Sequence, residues 1–303
     1  MLANEKILVT GAAGQVAFPV ARELARQNKV CGFARFSKGS DRARLEAAGI
    51  ECIQGDLATD TFARVPDDFT YVLNFAYVTT GDFDYDLAAN AEGVARLMYH
   101  CRRAKAWFQC STLGVYAYAG QRALKESDAL GDSHRSFLTP TYSIAKIAAE
   151  VMVRFGARQW NVPSTIARLG VAYGNNGGWP AFHLEMLLAR QPIPVHPDRP
   201  NMFSPLHEDD YIGHVPKFLA AAAIPPTVTN WGGSVGVSIE DWCTYMGQLI
   251  GVEPRFEYTE MGLASTMADP TRMHQLVGPT TVDWRDGMRR MTQARHPELP
   301  LRL

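Results

Sequence analysis

The chain has 303 residues, 47% of them hydrophobic and 20% charged, as expected for a soluble globular protein with one large or two moderate domains. Its net charge of -1 gives no support for nucleic acid or an anionic membrane as a partner. No apolar run approaches the ~18 residues of a transmembrane helix, and the first strand begins too close to Met1 for a signal peptide. The five cysteines lack metal-ligand spacing, so we expect a reduced, cytoplasmic protein without a metal site.

The first predicted element is an apolar strand, Lys6–Thr10, followed by a glycine turn and a helical pattern to about Asn28. Such a turn lets a pyrophosphate approach backbone N–H groups at a helix N-terminus, where the helix dipole favours negative charge. The spacing is G-x-x-G-x-x-A, not the G-x-G-x-x-G of many dehydrogenases. A tight turn without a ligand is the alternative. The turn residues expected to bind a dinucleotide are Gly11, Gly14, Gln15 and Val16.

The second predicted strand, Val30–Ala34, ends at Arg35. In a dinucleotide fold the residue at this strand end faces the adenosine ribose, where an acid would bind the 2′-OH of NAD. Here the acid is missing, and Arg35 is followed by Lys38, Arg42 and Arg44. This basic set suits the 2′-phosphate of NADP, although NAD remains possible and a solvated basic loop is the alternative.

Four further strands are predicted, at residues 49–53, 70–76, 107–112 and 164–168, with long helical patterns at 85–104 and 140–160. The β-α-β alternation with short connections predicts an α/β fold with a doubly wound parallel sheet. Ligands of such sheets lie at the carboxyl ends of the strands. The sequence features that fall there are the glycine turn, Arg35, Asp56, Ala76 and Thr112.

The second long helix carries a possible proton donor. Thr139 is a suitable N-cap and Pro140 a suitable first helical residue, after which Tyr142 and Lys146 fall four apart on one face. An isolated tyrosine titrates near pH ~10. A nearby ammonium and the positive end of a helix both stabilise a phenolate, which would make Tyr142 a usable acid.

Beyond Arg168 the composition changes. Residues 173–206 are rich in Gly, Pro and Asn, and the run Gln191–Pro197 excludes a helix or a central strand. Helical patterns cover about 180–189, 209–223, 238–250 and 283–294. We expect residues 1–170, with a contribution from about 207–232, to form a dinucleotide-binding domain. Residues 171–303 would then form mainly a smaller substrate-binding region.

Seven motifs follow one another in the order typical of one family. They are Thr10-Gly11-x-x-Gly14-x-x-Ala17, Gly55-Asp56-Leu57, Asn90-x-x-Gly93, Ser111–Tyr116, Tyr142-x-x-x-Lys146, Arg168–Gly174 and His207–Asp210. In these the chain resembles the extended short-chain dehydrogenase/reductase family, whose members include epimerases, dehydratases and ketone reductases. The resemblance covers most of the first 215 residues.

The resemblance implies a catalytic set of Thr112, Tyr142 and Lys146. A carbonyl oxygen would accept hydrogen bonds from Tyr142 and Thr112, and Tyr142 would give or take the proton. Lys146 would hold the nicotinamide ribose. Asp56 and Leu57 would contact the adenine. Because family members often dimerise through two long helices, here 85–104 and 140–160, a homodimer is possible.

Departures from the family pattern bear on the substrate. The acidic pair of nucleotide-sugar dehydratases is replaced by Leu113 and Gly114. An arginine that commonly binds the sugar-nucleotide diphosphate is replaced by Phe203, and an asparagine three residues after Arg168 is replaced by Val171. Since a desolvated phosphate needs paired charge, these changes argue against a nucleotide sugar, unless Arg199 compensates.

The candidate substrate residues are mixed and fairly apolar, and each could equally be part of the core. They are Tyr77, Thr112, Trp179, His183 and Phe203, with Val78, Tyr116, Tyr118, Phe182 and Met202 as further candidates. His183 could hydrogen-bond a polar substrate group or be a buried structural histidine. His134, in the loop before the catalytic helix, could belong to a lid.

These observations predict an NAD(P)-dependent oxidoreductase that acts on a carbonyl or alcohol of a small-to-medium, partly apolar substrate. One alternative is a sugar epimerase that retains a tightly bound NAD. Another is a regulator that senses dinucleotide without turnover, although it would have no need of Thr112, Tyr142 and Lys146 together.

Overall fold

The computed structural model describes residues 2–132 and 139–302. Within these ranges the strands are β1 Lys6–Thr10, β2 Lys29–Ala34, β3 Glu51–Gln54, β4 Tyr71–Asn74, β5 Ala106–Thr112, β6 Ser164–Leu169, β7 Val171–Gly174, β8 Gly177–Gly178, β9 Ile193–Val195, β10 Met202–Phe203, β11 Pro205–His207, β12 Thr227–Trp231, β13 Val237–Ser238 and β14 Phe256–Tyr258. The helices are α1 Ala17–Ala25, α2 Gly39–Ala47, α3 Phe83–Leu87, α4 Gly93–His100, α5 Tyr142–Trp160, α6 Trp179–Leu188, α7 Glu208–Ala220, α8 Ile239–Ile250, α9 Thr271–Val277 and α10 Trp284–Arg295.

Seven parallel strands form the central sheet, in the order β12-β6-β5-β4-β1-β2-β3. The strand order reverses between β1 and β4, which opens a crevice at the carboxyl ends of these strands. The predicted doubly wound α/β fold is therefore confirmed. Strand β12 pairs with β6 at the edge of the sheet and is not among the predicted strands, because its sequence TVTNW is short and lacks an adjoining motif.

The sheet is covered on both faces, which explains why its strands are nearly continuous apolar runs. One apolar cluster joins the sheet to α1 and α7, and a second joins it to α4 and α5. A row of buried polar groups crosses three strands: Thr10 donates to Asn74, whose amide donates to Gln109 over 2.9 Å. Because each member has a partner, the row fixes the register of β1, β4 and β5 without an unpaired polar group.

The predicted helix over residues 85–104 forms one continuous run from Phe83 to His100, so its existence is confirmed and its predicted end is four residues too late. Between α3 and α4 the run contains a π-helical segment at Ala88–Glu92. The side chain of Asn90, in the π-helical segment, donates to the carbonyl oxygens of Val78 and Asp86. Asn90 thus joins the helix to the segment that follows β4, a long-range contact that the apolar pattern does not reveal.

The predicted start of the catalytic helix is also wrong. Helix α5 begins at Tyr142, with Thr141 rather than Thr139 at the N-cap position. The Tyr142 N–H donates to the Thr139 carbonyl over 2.9 Å, so Pro140 lies in a turn before the helix. The Thr141 hydroxyl makes no cap hydrogen bond, because it donates instead to Asp86. The predicted end at Trp160 is confirmed.

Apart from β12, α7 and α9, which belong to the central sheet and its cover, residues 171–302 form small sheets and helices beside the carboxyl ends of the central strands. Strands β11, β7 and β8 form one sheet, β14 pairs with β9, and β10 pairs with β13. Helices α6, α8 and α10 share a third apolar cluster centred on Trp242. Strand β9, within the run Gln191–Pro197, lies outside the central sheet, as expected. None of the described helices combines the length and apolar character needed to cross a membrane.

Candidate active site

The glycine turn is closely packed against the end of β4. Gly11 has a φ of 63°, and a Cβ atom at this position would lie 2.8 Å from the Ala76 Cα. The Gly14 N–H donates to the Gly11 carbonyl over 2.8 Å, and the Phe18 N–H donates to the Gly14 carbonyl over 3.0 Å. Only glycine fits Gly11, because its backbone is left-handed and its surroundings leave no room for a side chain. The cradle fits a dinucleotide pyrophosphate at the start of α1.

A cavity of about 310 Å³ runs from this turn along the ends of β2 and β3, and we call it the glycine-turn cavity. It is lined by Gly11, Ala13, Gly14, Phe33, Ala34, Arg35, Phe36, Ser37, Asp41, Gly55, Asp56, Leu57, Phe75, Ala76, Tyr77 and Val78. The structure thus brings together six of the residues predicted to bind cofactor: Gly11, Gly14, Arg35, Asp56, Leu57 and Ala76.

The charge in this cavity is more balanced than the sequence indicates. Arg35 reaches the Tyr85 hydroxyl over 3.5 Å, and that hydroxyl donates to Asp56 over 2.6 Å, which raises the pKa of Tyr85 because the bond holds its proton. Asp41 also lines the cavity. Sequence reasoning missed Asp41, although an acidic residue in the first turn of α2, the helix that follows β2, was a usable signal.

The rest of the predicted basic set does not line the glycine-turn cavity. The guanidinium of Arg42 is 5.0 Å from the centre of the Phe36 ring, and that of Arg44 is 3.6 Å from the Phe18 ring. Lys38 occupies the N-cap position of α2. Arg35 is therefore the one member of the basic set in the cavity lining, and Arg42 lies next to the cavity over the Phe36 ring, which also lines it.

The three predicted catalytic residues line a second cavity, the tyrosine cavity, of about 340 Å³. Thr112 ends β5, and Tyr142 and Lys146 lie on the first turns of α5. The Lys146 ammonium is 5% exposed and donates to the Cys110 carbonyl over 3.0 Å. The Tyr77 and Tyr142 rings pack edge-on, with 4.9 Å between their centroids. Close contacts therefore hold both Lys146 and Tyr142 in the wall of the cavity.

The tyrosine cavity is continuous in its lining with the glycine-turn cavity, since both include Gly11, Gly14, Phe75 and Tyr77. A dinucleotide bound at the glycine turn therefore has a path to Tyr142 along one set of walls. The fit of the glycine cradle and this shared lining support an NAD-type cofactor. No described group of three or more His, Cys, Asp or Glu side chains could hold a metal ion.

Behind the tyrosine cavity lies a buried ion pair. Glu150 on α5 accepts from the Arg168 guanidinium at both carboxylate oxygens, over 2.9 and 2.8 Å. Glu150 also accepts from the Ser111 hydroxyl over 2.6 Å, and Arg168 donates to the Tyr116 hydroxyl over 2.9 Å. The network ties α5 to β5 and β6 directly beside Thr112, so it holds the elements that carry the predicted catalytic groups.

A third cavity, the aromatic cavity, has a volume of about 420 Å³. It is lined by Gln15, Val16, Thr112, Leu113, Tyr142, Leu169, Gly170, Val171, Ala172, Trp179, Phe203, Leu263 and Thr266. Among the residues that the structure describes, no charged side chain lines it. Trp179 and Phe203 pack edge-on at 4.9 Å between ring centroids. Leu263 and Thr266 were missed by sequence reasoning because no motif marks their segment.

The structure separates the predicted substrate residues. Thr112, Trp179 and Phe203 line the aromatic cavity, whereas Tyr77 lines the glycine-turn and tyrosine cavities. The prediction that His183 contacts substrate is wrong, because its Nδ1 accepts from the Trp242 indole over 2.9 Å within the core. Burial lowers the pKa of His183 to about 3.

Most of the further candidates also lie away from the aromatic cavity. Tyr116 is fully buried and donates to Asn230 over 2.6 Å, while Phe182 is 62% exposed. The Tyr118 hydroxyl donates to Asp198 on the surface, and Val78 lines the glycine-turn cavity. The predicted lid residue His134 lies outside the described residues.

Comparison with known proteins places these features in a family. The model of the NAD dependent epimerase/dehydratase family matches residues 7–229, about three quarters of the chain. A curated relative is the trifunctional UDP-glucose 4,6-dehydratase/UDP-4-keto-6-deoxy-D-glucose 3,5-epimerase/UDP-4-keto-L-rhamnose-reductase of Arabidopsis thaliana. It is 27% identical over an alignment of 230 positions that covers 68% of this chain and 34% of the relative. A second Arabidopsis protein of the same description is 24% identical over an alignment of 315 positions, gaps included, that covers 94% of this chain and 46% of that protein. The chain thus spans less than half the length of both relatives.

Among solved structures, the UDP-glucuronic acid 4-epimerase of Bacillus cereus, in complex with UDP-glucuronic acid and NAD, is similar in fold. The TM-score is 0.83 at 19% identity, with 97% of this chain and 99% of the epimerase covered. At this identity the likeness establishes the fold alone. With the family model matched over the sheet that carries the ordered motifs, the chain belongs to the NAD-dependent epimerase/dehydratase family.

Proposed function

We propose that this protein is an NAD(P)-dependent oxidoreductase acting on the carbonyl or alcohol of a small-to-medium, uncharged and partly apolar substrate. The observation that carries the proposal is the position of Thr112 and Tyr142, which line both the tyrosine cavity and the aromatic cavity. A substrate oxygen held between them could receive two hydrogen bonds where the two cavities meet. When bound, the nicotinamide cofactor would supply or accept the hydride.

In this proposal each residue has a separate task. Tyr142 donates a proton to the carbonyl oxygen during reduction and accepts one from the alcohol during oxidation. Thr112 donates a second hydrogen bond to the same oxygen. Lys146 is held by the Cys110 carbonyl with its ammonium beside the Tyr77 ring, 4.9 Å from the ring centroid, where it can meet the cofactor ribose.

The uncharged lining of the aromatic cavity supports the substrate class. Leu113, Val171 and Phe203, which replace polar or charged residues of nucleotide-sugar enzymes, all line this cavity. Arg199 does not compensate, since its guanidinium is 4.6 Å from the Tyr258 ring and it is absent from the cavity lining. A diphosphate would lose its hydration here without gaining a counter-charge, and that loss costs several kcal/mol.

Incubation of the protein with NADPH or NADH and a panel of carbonyl compounds tests the proposal. A reductase consumes reduced cofactor, measured by absorbance, in the presence of uncharged aromatic or aliphatic ketones and aldehydes. Copurified dinucleotide with interconversion of a UDP-sugar and no net absorbance change would instead identify a sugar epimerase. Dinucleotide binding without turnover of any compound would favour the sensing regulator.

The preference for NADP is a further part of the proposal, supported by Arg35 in the glycine-turn cavity. Replacing Arg35 with alanine should weaken NADP binding by about 10–100-fold, the equivalent of a lost charge-assisted hydrogen bond, and leave NAD binding nearly unchanged. Replacing Asp41 with asparagine should strengthen NADP binding, because a like charge is removed. Isothermal titration with both dinucleotides measures the six binding constants of the unaltered protein and the two variants. Tighter binding of NAD than of NADP by the unaltered protein would contradict the preference.

A homodimer and a cytoplasmic location complete the proposal. Helix α5 exposes Ile144, Val151 and Phe155 along one face, each about half exposed, and Tyr99 is similarly exposed on α4. This apolar stripe supports pairing with a second copy. Light scattering would report the mass of the assembly against 33.5 kDa for one chain.

All five cysteines are free thiols and four are buried, which is consistent with a reducing compartment and supports the proposed cytoplasmic location.

A further inference from the structure

A fully buried carboxylate, Asp86, lies on α3 beside the tyrosine cavity. Its relative exposure is 0%. It accepts hydrogen bonds from the Thr80 N–H at 3.0 Å, the Thr80 hydroxyl at 2.9 Å and the Gly81 N–H at 3.2 Å. A fourth donor is the Thr141 hydroxyl at 2.6 Å. None of the seven sequence motifs includes Asp86, and it lines none of the three cavities of the site.

The four donors come from two segments that the fold brings together. Thr80 and Gly81 belong to the segment that leaves β4 and carries Tyr77, a wall of both the glycine-turn and tyrosine cavities. Thr141 is 1% exposed and directly precedes Tyr142 at the start of α5. Asp86 therefore joins the segment after β4, which lines the glycine-turn cavity, to Thr141, the residue before the predicted proton donor Tyr142.

Neighbouring contacts make the same connection. The side chain of Asn90 both donates to the Val78 carbonyl over 2.6 Å and accepts from the Val78 N–H over 2.9 Å. The Tyr77 ring, in turn, contacts Tyr142 and lies below the Lys146 ammonium. A shift of the segment after β4 would therefore displace Tyr142 from two directions, through Tyr77 and through Thr141.

We propose that Asp86 is a positioning residue that fixes the place of Tyr142 relative to the segment after β4, which lines the glycine-turn cavity. It acts through Thr141 and touches neither substrate nor cofactor. The proposal rests on the proposed function only in taking Tyr142 as the proton donor. A one-ångström misplacement of an acid–base group lowers rate far more than it lowers ground-state binding, so the effect belongs in kcat rather than in KM.

A carboxylate suits this role better than any neutral side chain. It accepts at two oxygens and donates nothing, whereas an amide of the same shape turns an N–H group toward one set of donors. In Asp86→Asn the amide N–H would face the Gly81 N–H or the Thr80 N–H, so two donors would meet.

The chain offers a matched control in Asp210, which is 5% exposed and distant from Tyr142 in sequence. Its carboxylate accepts from the Thr281 N–H over 2.7 Å, the Thr281 hydroxyl over 2.8 Å and the Val282 N–H over 3.2 Å.

The test compares Asp86→Asn with Asp210→Asn, and Thr141→Val with Thr141→Ser. Asp86→Asn and Thr141→Val should lower kcat by about 10–100-fold with KM values nearly unchanged. Thr141→Ser, which keeps the hydroxyl, should recover most of the rate. Asp210→Asn should lower the melting temperature without lowering kcat. If Asp86→Asn does not fold, the comparison of Thr141→Val with Thr141→Ser is sufficient to test the proposal.

Amide hydrogen exchange provides a readout that needs no turnover. In Asp86→Asn and Thr141→Val, peptides covering residues 77–82 and 139–146 should exchange faster, while a peptide from α10 should be unchanged. This separates failure of the positioning role from failure of the proposed function, which the carbonyl panel tests. Equal rates for Thr141→Val and Thr141→Ser, or exchange in Asp86→Asn no faster than in the unaltered protein, would overturn the proposal.

Discussion

Replacing Tyr142 with phenylalanine should lower kcat by about 10²–10⁴-fold, the usual contribution of a general acid or base. The phenyl ring preserves the edge contact with Tyr77, and Lys146 keeps its hydrogen bond to the Cys110 carbonyl. The walls of the tyrosine cavity therefore stay in place while the transferable proton is lost. Steady-state turnover with the best carbonyl substrate of the panel measures the effect.

Dinucleotide affinity provides the internal check on this variant, since it should remain close to that of the unaltered protein. Tyr258→Phe is a suitable control, because Tyr258 is 43% exposed on β14 and lines none of the three cavities. Unchanged turnover in Tyr142→Phe would remove Tyr142 as the acid–base group. A large loss of dinucleotide binding would show that the residue serves the cofactor instead.

Replacing Glu150 with leucine should lower the free energy of unfolding by about 3–5 kcal/mol, which is the usual cost of leaving one partner of a buried ion pair without its counter-charge. The Arg168 and Glu150 side chains are 1% and 2% exposed, so water cannot replace the lost carboxylate. The Ser111 hydroxyl loses its acceptor at the same time. Urea unfolding followed by circular dichroism measures the change.

The double variant Glu150→Leu with Arg168→Met distinguishes the net stability that the ion pair contributes from the cost of leaving the Arg168 charge without its carboxylate partner. Since buried ion pairs can often be replaced by apolar residues at little cost, the double variant should be more stable than Glu150→Leu alone. A loss below about 1 kcal/mol in Glu150→Leu, the range of an exposed pair, would mean that Arg168 finds another partner.

The sequence was sufficient for the features that depend on local pattern and on the edge of a parallel sheet. Once strands alternate with helices, the carboxyl ends of β1, β4 and β5 must lie together, and so must Gly11, Ala76 and Thr112. The helical spacing of Tyr142 and Lys146 is equally local. The fold class followed from these patterns and the family from the resemblance of the seven ordered motifs, and the structure and the family model confirm both.

Features that depend on contacts distant in sequence could not be predicted. Asp86 and Thr141 are 55 residues apart, and no periodicity connects them. The uncharged residues Leu263 and Thr266 reach the aromatic cavity from a segment without a motif. His183 was misplaced because a buried histidine and a substrate ligand look alike in sequence until its partner, Trp242, is known. That Arg35 alone of the basic set lines the glycine-turn cavity could not be predicted, because the contacts of Arg42 with Phe36 and of Arg44 with Phe18 leave no pattern in the sequence.

The mixed lining of the aromatic cavity has a consequence for how such a protein can evolve. Gln15, Thr112 and Tyr142 come from the glycine turn, β5 and α5, whereas Trp179, Phe203, Leu263 and Thr266 come from the later part of the chain. Under the proposed function, substitutions in the later part of the chain change the wall that meets the substrate and leave Thr112 and Tyr142 in place. Enzymes that share this chemistry can then differ in substrate mainly through this later part of the chain.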